Sequence, residues 1–199
     1  MKYDIFFAGV GGQGILTIGE VLAEVAGYKD IPANFYPSKG MAQRGGFVKA
    51  QLRLGRQNIG SNIPQKGADM VIAMEQSESL KALPYIKKEG DFVLYGDIWA
   101  PTAVALGKAA YPALDQIKEQ VAISGARLVY IDPAGLPSYA GEPVHPNLFV
   151  LGVIIGQTGL GSLIDSKDVE TIIQRRFKRN VEANLFAYRA GQSALQVMP

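Results

Sequence analysis

A short apolar segment that ends in a run of glycines and continues as an apolar helix constrains this fold most. Residues 3–8 are largely hydrophobic, and residues 9–14 then read Gly-Val-Gly-Gly-Gln-Gly. After them, Ile15, Ile18, Leu22 and Val25 recur at helical spacing. Glycines at such a junction permit a tight turn between a buried strand and a buried helix. The sequence therefore predicts a strand–turn–helix unit at the start of an α/β fold.

The rest of the chain alternates apolar runs with segments that can hold helices. The runs lie at residues 33–36, 70–73, 92–95 and 128–131, and residues 114–123 have a helical pattern. This alternation is typical of a mostly parallel sheet covered on both faces. Residues 47–54 instead alternate apolar and polar side chains, which indicates an antiparallel or edge strand with one solvated face. We predict an α/β, Rossmann-like three-layer sandwich whose mostly parallel sheet has one antiparallel or edge strand.

Two segments near the C-terminus have clear local patterns. Asn147 follows a Pro-Val-His-Pro stretch and precedes an apolar run, which favours a rigid loop capped by Asn147 over His145 as a catalytic base. Further on, Asp165 or Ser166 can cap a closing helix. We predict an apolar stripe on that helix formed by Val169, Ile172, Ile173, Phe177 and Val181.

The composition excludes several kinds of chemistry. The 199 residues include no cysteine, so disulfides, thiolate zinc sites, cysteine nucleophiles and cysteine-ligated iron–sulfur clusters are excluded. One histidine leaves no multi-histidine metal site. The longest apolar run is well short of the ~20 residues that cross a bilayer, and the N-terminus has no signal-peptide pattern. We therefore expect a soluble cytoplasmic protein.

The glycine run matches the dinucleotide-binding fingerprint at Gly9, Gly11 and Gly14. That fingerprint also requires an acidic residue about 20 positions on, to hold a ribose. Residues 34–39 contain no carboxylate, and Asp30 precedes the second strand. Nicotinamide binding is thus disfavoured. Acceptance of a phosphate and a purely packing role for the glycines both remain open.

Residues 31–68 contain no acidic side chain, which makes this segment locally positive. Its basic residues are Lys39, Arg44, Lys49, Arg53, Arg56 and Lys66. A surface that faces an anion explains this asymmetry, whereas a solvated strand face explains Lys49 and Arg53 equally well. Residues 40–46 read Gly-Met-Ala-Gln-Arg-Gly-Gly, so an arginine and exposed amides can converge there on a carboxylate or phosphate.

Other polar groups have less specific explanations. The basic stretch at residues 175–179 fits a solvated face of the closing helix, with Glu182 placed to pair with Arg179 or Lys178. Glu75 and Asp97 follow two of the parallel-type strands, where open α/β sheets form clefts. Their position alone makes them candidates for a cleft.

Taken together, residues 9–14, 40–46 and 68–75 resemble the gamma-type subunit or domain of 2-oxoacid:ferredoxin oxidoreductases. The likeness is greatest to the beta subunit of indolepyruvate ferredoxin oxidoreductases. It covers nearly the whole chain, including Asn147, Leu151 and Gly152 before the closing helix. Family members of this kind usually have an acidic residue and a histidine just before Gly-Met, where this chain has Tyr-Pro-Ser-Lys at residues 36–39. That departure bears on the substrate.

The resemblance implies one gamma-type domain over residues 1–199 and a role inside a larger enzyme. Such enzymes oxidatively decarboxylate a 2-oxoacid to an acyl-coenzyme A and pass electrons through iron–sulfur clusters to ferredoxin. Thiamine diphosphate, magnesium and the clusters belong to partner subunits. The present chain agrees with this division because it has no cysteine and no Gly-Asp-Gly followed by Asn to hold the diphosphate. We expect no cofactor on this chain alone, and no nucleic-acid or membrane partner.

The sequence contains two sets of candidate residues, and we assign no catalytic residue or metal ligand. The cofactor-binding set is Gly9, Gly11, Gly12, Gln13 and Gly14. The substrate or coenzyme A pocket set is Lys39, Gly40, Met41, Gln43, Arg44, Gly45 and Gly46. The alternatives are a purely structural subunit and a stand-alone Rossmann-type nucleotide-binding protein. A net charge of +2 gives little support to a nucleic-acid module.

Overall fold

A six-stranded sheet forms the centre of the molecule, in the order β2-β3-β1-β4-β5-β6. A computed structural model describes residues 2–38, 46–57 and 59–194. The strands of the sheet are β1 (Tyr3–Val10), β2 (Ala33–Ser38), β3 (Phe47–Leu54), β4 (Ala68–Ala73), β5 (Ile86–Tyr95) and β6 (Arg127–Ile131), and a small hairpin adds β7 (Ser138–Tyr139) and β8 (Glu142–Pro143). The helices are α1 (Ile15–Tyr28), α2 (Gln76–Ala82), α3 (Thr102–Ala105), α4 (Leu114–Ser124), α5 (Pro146–Gln157), α6 (Ser166–Arg176) and α7 (Val181–Ser193).

The strand directions confirm the predicted α/β class. Strand β1 pairs in parallel with β4, β4 with β5, and β5 with β6, whereas β3 runs antiparallel to both β1 and β2. The antiparallel strand is therefore interior, and β2 and β6 are the edges of the sheet. In the usual nucleotide-binding order the second strand borders the first. Here β3 separates them.

Alternate side chains of each strand enter two separate hydrophobic cores. Ile5 and Phe7 of β1 pack in a core with α1, α5, α6 and α7, while Phe6 and Ala8 pack on the other face with α2 and α4. All four side chains are almost completely buried. The period of two in a fully covered strand produces this division. The three-layer arrangement is confirmed.

Helices α5 and α7 approach so closely that glycine is required at their contact. A Cβ atom at Gly152 would overlap the carbonyl oxygen of Tyr188, and one at Gly191 would overlap the carbonyl oxygen of Phe149. A main-chain atom has little freedom to move aside, in contrast to the end of a flexible side chain. The apolar run predicted before the closing helix thus becomes α5, held against a further helix.

The face of β3 predicted to be solvated is in fact covered. Arg53 is 6% exposed and Gln51 is 8% exposed, and Lys49 is half-buried. Arg53 donates from Nε to Asp4 Oδ1 at 3.0 Å and from Nη2 to Asp4 Oδ2 at 2.9 Å. Arg56 Nη2 lies 3.1 Å from Asp4 Oδ2. Two of the six local positive charges therefore share an internal counter-ion, so they form neither a solvated face nor an anion-binding surface.

The chain that follows β3 covers this face. Arg53 Nη1 donates to the carbonyl oxygens of Gly60 and Asn62, at 3.0 and 3.1 Å. The Gln51 Oε1 atom accepts from the backbone N–H of Ile63. The alternating pattern of β3 correctly predicts its strand structure but not its environment, because the cover comes from a segment without hydrophobic periodicity.

The predicted closing helix is two helices. Asp165 caps α6, and its Oδ1 accepts from the N–H of Lys167 at 2.8 Å. The helix ends at Arg176, and Asn180 has a left-handed φ of 57° before α7 begins at Val181. The predicted stripe through Val181 is thus divided between α6 and α7. The turn lets α7 fold back against α5.

The basic stretch at the end of α6 packs on α1. Arg176 forms ion pairs with Glu20 and Glu24, and the Arg175 guanidinium lies 4.7 Å from the centre of the Tyr28 ring. The prediction of a solvated face was therefore wrong for Arg176, whereas Arg175 remains exposed. Among the described residues, Glu182 forms no ion pair with Lys178 or Arg179. Within the same residues, no helix is long and apolar enough to cross a membrane.

Candidate functional site

The carboxyl ends of β1, β4 and β5 meet at one edge of the sheet, where the glycine turn (residues 9–14) follows β1. Gln13 links all three strand ends. Its Oε1 accepts from Val10 N at 2.8 Å, and its Nε2 donates to Met74 O at 2.7 Å and to Asp97 Oδ2 at 2.9 Å. Because both ends of the amide are used, Gln13 holds the turn in place. Its membership of the cofactor-binding set stays a prediction.

The glycines of the turn serve different purposes. A Cβ at Gly9 would lie 3.0 Å from Gln13 Oε1 and 3.2 Å from Met74 Cβ. Gly14 has a φ of +70°, and its Cβ would lie 2.5 Å from Asn147 Nδ2. Gly12 has a φ of +112° but nothing within 4 Å of a Cβ. Close packing thus accounts for Gly9 and contributes at Gly14, whereas Gly12 is explained by its backbone conformation.

The start of α1 faces a shallow cavity beside the turn. The helix has Gly14 as its N-cap, without a side-chain cap and without an acidic residue in its first turn. The cavity has a volume of about 310 Å³ and is lined by Val10, Gly11, Gly12, Gly14, Ile15, Leu16 and Val48. An uncapped helix start offers N–H groups and a positive potential to an anion. The rest of the lining is apolar, so the turn suits a phosphate carried by a larger, partly apolar ligand.

Gly46, the last member of the second predicted set, and Ser38, which precedes the set, lie at the same edge. Gly11 N donates to Gly46 O at 2.9 Å, and Val10 pairs with Phe47 at the start of β3. Ser38, the last residue of β2, pairs with Lys49. Gly46 therefore lies beside the glycine turn. The other members of this set, Lys39, Gly40, Met41, Gln43, Arg44 and Gly45, lie outside the described residues, and their role stays a prediction.

Asn147 has a different place from the predicted one. Helix α5 begins at Pro146 with His145 as the N-cap residue, so Asn147 lies inside the first turn and is not the cap. Its Oδ1 accepts from Leu148 N at 2.9 Å, and its Nδ2 is the group nearest to Gly14. The proline fixes the helix start two residues earlier because its ring already has a helical φ and its missing N–H costs nothing there. A residue from α5 thereby borders the glycine turn.

Glu75 is buried and fully engaged within the protein. It is the N-cap residue of α2, and its Oε2 accepts from Ser77 Oγ and from Glu78 N, each at 2.8 Å. Its Oε1 accepts from Trp99 N at 3.1 Å and from the Tyr111 hydroxyl. Burial, and then the hydrogen bond to Glu75, raise the pKa of Tyr111. Glu75 therefore anchors the chain that follows β5 and is not available to a ligand.

Asp97 and its neighbour Tyr95 complete this edge. Asp97 Oδ1 accepts from Ile98 N at 3.0 Å, while its other oxygen accepts from Gln13. Burial, followed by the charges of Asp97 and Asp132, raises the pKa of Tyr95 to about 12. Over the described parts of the chain, no group of three or more His, Cys, Asp or Glu residues is placed to hold a metal ion.

The sheet order and the glycine turn define an open α/β protein whose strand–turn–helix unit has an antiparallel strand inserted beside it. The sequence matches the pyruvate ferredoxin/flavodoxin oxidoreductase family over residues 4–194. The chain therefore belongs to that family, and its resemblance to the gamma-type subunits is confirmed.

Two relatives that are similar over nearly their full length are both named as indolepyruvate oxidoreductase subunits. The chain is 31% identical over 194 residues to the indolepyruvate oxidoreductase subunit IorB of Methanothermobacter thermautotrophicus, covering 98% of each chain. It is 32% identical over 201 residues to the subunit of the same name from Thermococcus kodakarensis, covering 99% of this chain and 98% of the relative.

Solved structures share the fold at lower identity. The gamma subunit of a keto/oxoacid ferredoxin oxidoreductase from Geobacter sulfurreducens has a TM-score of 0.68 and 21% identity, covering 96% of this chain and 95% of its own. Pyruvate oxidoreductase subunit PORC from Thermotoga maritima has a TM-score of 0.70 and 17% identity, with the same coverage. A 2-oxoglutarate:ferredoxin oxidoreductase chain from Magnetococcus marinus has a TM-score of 0.60 and 16% identity, covering all of this chain and 32% of its own.

Proposed function

We propose that this chain is the subunit without thiamine and without iron–sulfur clusters in a 2-oxoacid:ferredoxin oxidoreductase. The complex oxidatively decarboxylates a 2-oxoacid, an aryl pyruvate such as indolepyruvate or a related compound, to an acyl-coenzyme A. The observation that carries this proposal is the similarity to two indolepyruvate oxidoreductase subunits over nearly the full length of both chains. A match of equal length supports a separate small subunit of the same kind.

In this proposal the partner subunits carry the reactive groups. When bound there, thiamine diphosphate supplies the decarboxylation chemistry, and clusters pass the electrons to ferredoxin. The present chain has no cysteine to ligate a cluster. Its single gamma-type domain completes the active-site or coenzyme A pocket and supports assembly, and it is inactive alone.

Two adjoining surfaces of this chain face the ligand in the proposed arrangement. Arg44, with Lys39 and the amides of Gly45 and Gly46, holds an anionic group of the 2-oxoacid or of coenzyme A. The bond between Gly11 and Gly46 supports this, because it sets one end of the segment against the glycine turn. The uncapped start of α1 offers a second group of N–H donors at the same edge.

The test is kinetic and uses the complex reconstituted with Arg44→Ala. A charge-assisted bidentate contact contributes about 2–3 kcal/mol, so we expect kcat/KM for the 2-oxoacid or coenzyme A to fall by about 30- to 150-fold. Lys88→Ala is the control, because Lys88 is exposed near the amino end of β5, at the opposite edge of the sheet. Unchanged turnover and unchanged apparent affinities for Arg44→Ala would reject the proposed contact.

Two further measurements separate the alternative functions. For a purely structural subunit, surface substitutions change assembly, measured by gel filtration, but leave the kinetics at saturating subunit unchanged. For a stand-alone nucleotide-binding protein, the isolated chain binds NADH. The insertion of β3 between β1 and β2 argues against that function, because the end of β2 no longer borders the glycine turn.

A further inference from the structure

A second cavity lies where the first turns of α1, α5 and α7 meet. Its volume is about 280 Å³, and Leu148 and Phe177 form its apolar part. The polar residues that line it are Thr17, His145, Asn147, Arg179, Asn180 and Asn184. Asn147 borders both this cavity and Gly14 of the glycine turn. The two cavities are therefore neighbours with different linings.

Three helix starts contribute to the second cavity. Thr17 lies in the first turn of α1, His145 is the N-cap residue of α5, and Asn180 is the N-cap residue of α7. Neither of these N-cap side chains, nor Gly14 at the start of α1, accepts a hydrogen bond from its helix. Each helix start has a positive potential from its aligned peptide dipoles. All three helix starts border the cavity and therefore favour an anion there.

The side chain of Asn184 is an observation independent of the helix starts. Asn184 is only 6% exposed and its side chain forms no hydrogen bond with any residue in the described ranges, yet neither of its amide atoms is among the fully buried unpaired atoms there. The amide is therefore open to the cavity that it lines, where its N–H and C=O groups are free to bind a ligand. Asn184 also lines an adjoining cavity of about 140 Å³ with His145 and Asn180. A ligand oxygen in the larger cavity would accept from its Nδ2.

The charged lining residue is also without a partner among the described carboxylates. Arg176 and Arg189 on the neighbouring helices form ion pairs with glutamates, whereas Arg179 forms none within the described ranges. No acidic residue lines the larger cavity in the part of the chain that the structure describes. Glu142 lines only the smaller, adjoining cavity. The donors of the larger cavity therefore suit an anion.

We propose that this cavity binds the phosphoryl group of a small phosphate-containing ligand. The guanidinium of Arg179 donates from the turn before α7, the amides of Asn180 and Asn184 donate from the start of α7, and the hydroxyl of Thr17 donates from α1. A guanidinium, two amides and a hydroxyl together can donate to more than two oxygens, which matches a phosphoryl group better than a carboxylate. The assignment is independent of the proposed oxidoreductase role, since it concerns a ligand of this chain alone.

The test is a titration of the full-length chain with inorganic phosphate, followed by NMR at the side-chain amide of Asn184. We expect saturable shifts, and a dissociation constant at least about tenfold weaker for Arg179→Gln. Lys178→Gln is the matched control. Lys178 is adjacent to Arg179 in the sequence and carries the same charge, but its side chain is exposed and does not line the cavity. Its dissociation constant is expected to stay within about twofold of the wild-type value.

Titrations with other ligands identify the source of the phosphoryl group. Adenosine 5′-phosphate binding at least tenfold more tightly than inorganic phosphate assigns a nucleotide ester, and equal affinities assign free phosphate. Acetate at matched ionic strength binding as tightly as phosphate overturns the assignment. Absence of phosphate-dependent shifts at Asn184, or an equal loss for Lys178→Gln and Arg179→Gln, also overturns it. Both variants change exposed side chains, so retained folding is checked by the unchanged remainder of the spectrum.

Discussion

Two glycine-rich regions of this protein use the same residue for opposite reasons. In the glycine turn, Gly12 has a φ of +112° and open space where a Cβ would lie. In the contact between α5 and α7, Gly152 and Gly191 have no left-handed backbone, but the main chain of the other helix occupies the place of a Cβ. Glycine is needed at residue 12 for its backbone conformation and in the helix contact for the short distance. A sequence motif reveals the former, whereas the latter depends on a helix far away in the chain.

The largest effect is expected where the obstruction is main chain. Gly191→Ala forces α5 and α7 apart, because the new methyl overlaps the carbonyl of Phe149. We expect the free energy of unfolding, measured by urea denaturation, to fall by more than about 3 kcal/mol. Gly27→Ala is the matched control in a helix, since nothing lies within 4 Å of its Cβ, and it should stabilise by about 0.5–1 kcal/mol. Equal effects of the two variants would contradict the claim that the short distance between α5 and α7 requires glycine at residue 191.

A smaller loss is expected at Gly14, where conformation and contact both contribute. Gly14→Ala places a methyl 2.5 Å from Asn147 Nδ2 on a backbone with a φ of +70°. We expect a loss of about 2–3 kcal/mol in unfolding free energy. In a double-mutant cycle with Asn147→Ala, about 1 kcal/mol of this loss should disappear. Strict additivity would show that backbone conformation alone requires this glycine.

Gln13→Glu tests whether the Gln13 side chain holds the turn. We expect the free energy of unfolding at neutral pH to fall by about 2 kcal/mol. The new carboxylate still accepts from Val10 N but replaces the donor to Met74 O and faces the Asp97 carboxylate. Protonation restores a donor and removes the repulsion, so the deficit relative to wild type should shrink as the pH falls. Urea denaturation at several pH values measures it. A deficit that does not change with pH would contradict the assigned contacts.

The smallest stability effect is expected at Gly12. Gly12→Ala has no neighbour to displace, so only the strained φ contributes, about 1 kcal/mol. Gly12→Val adds bulk at the cavity beside the turn, and in the reconstituted complex it should weaken coenzyme A binding, measured by the apparent KM. An intact affinity for coenzyme A and nucleotides would favour the packing role of the turn.

Local hydrophobic patterns were sufficient to predict much of the fold. The strand–turn–helix unit, α4 and the Asp165 cap of α6 depend on neighbouring residues, and all are observed. The burial of Arg53 was not predictable in this way, because its counter-ion Asp4 is 49 residues away and its cover is an irregular segment. Helix α7 was missed because Val181 was assigned to the stripe of a single closing helix, and the left-handed turn at Asn180 that divides α6 from α7 has no glycine or proline to indicate it.

The candidate site was predictable only in outline. The glycine motif correctly indicated a turn at the start of α1. The contribution of Asn147 required the approach of α5, and its pattern in the sequence suggested a helix cap instead. Asn184 and Arg179 had no local signal for a shared cavity, because three helix starts from distant parts of the chain create it.

The inserted strand β3 changes which parts of the chain lie beside the glycine turn. Phe47 at the start of β3 pairs with Val10, whereas the tip of β2 is two strand spacings, or about 10 Å, from β1. On its other side, β1 pairs in parallel with β4. A substitution at the start of β3 therefore reaches the turn directly, whereas one at the tip of β2 acts on it only through β3.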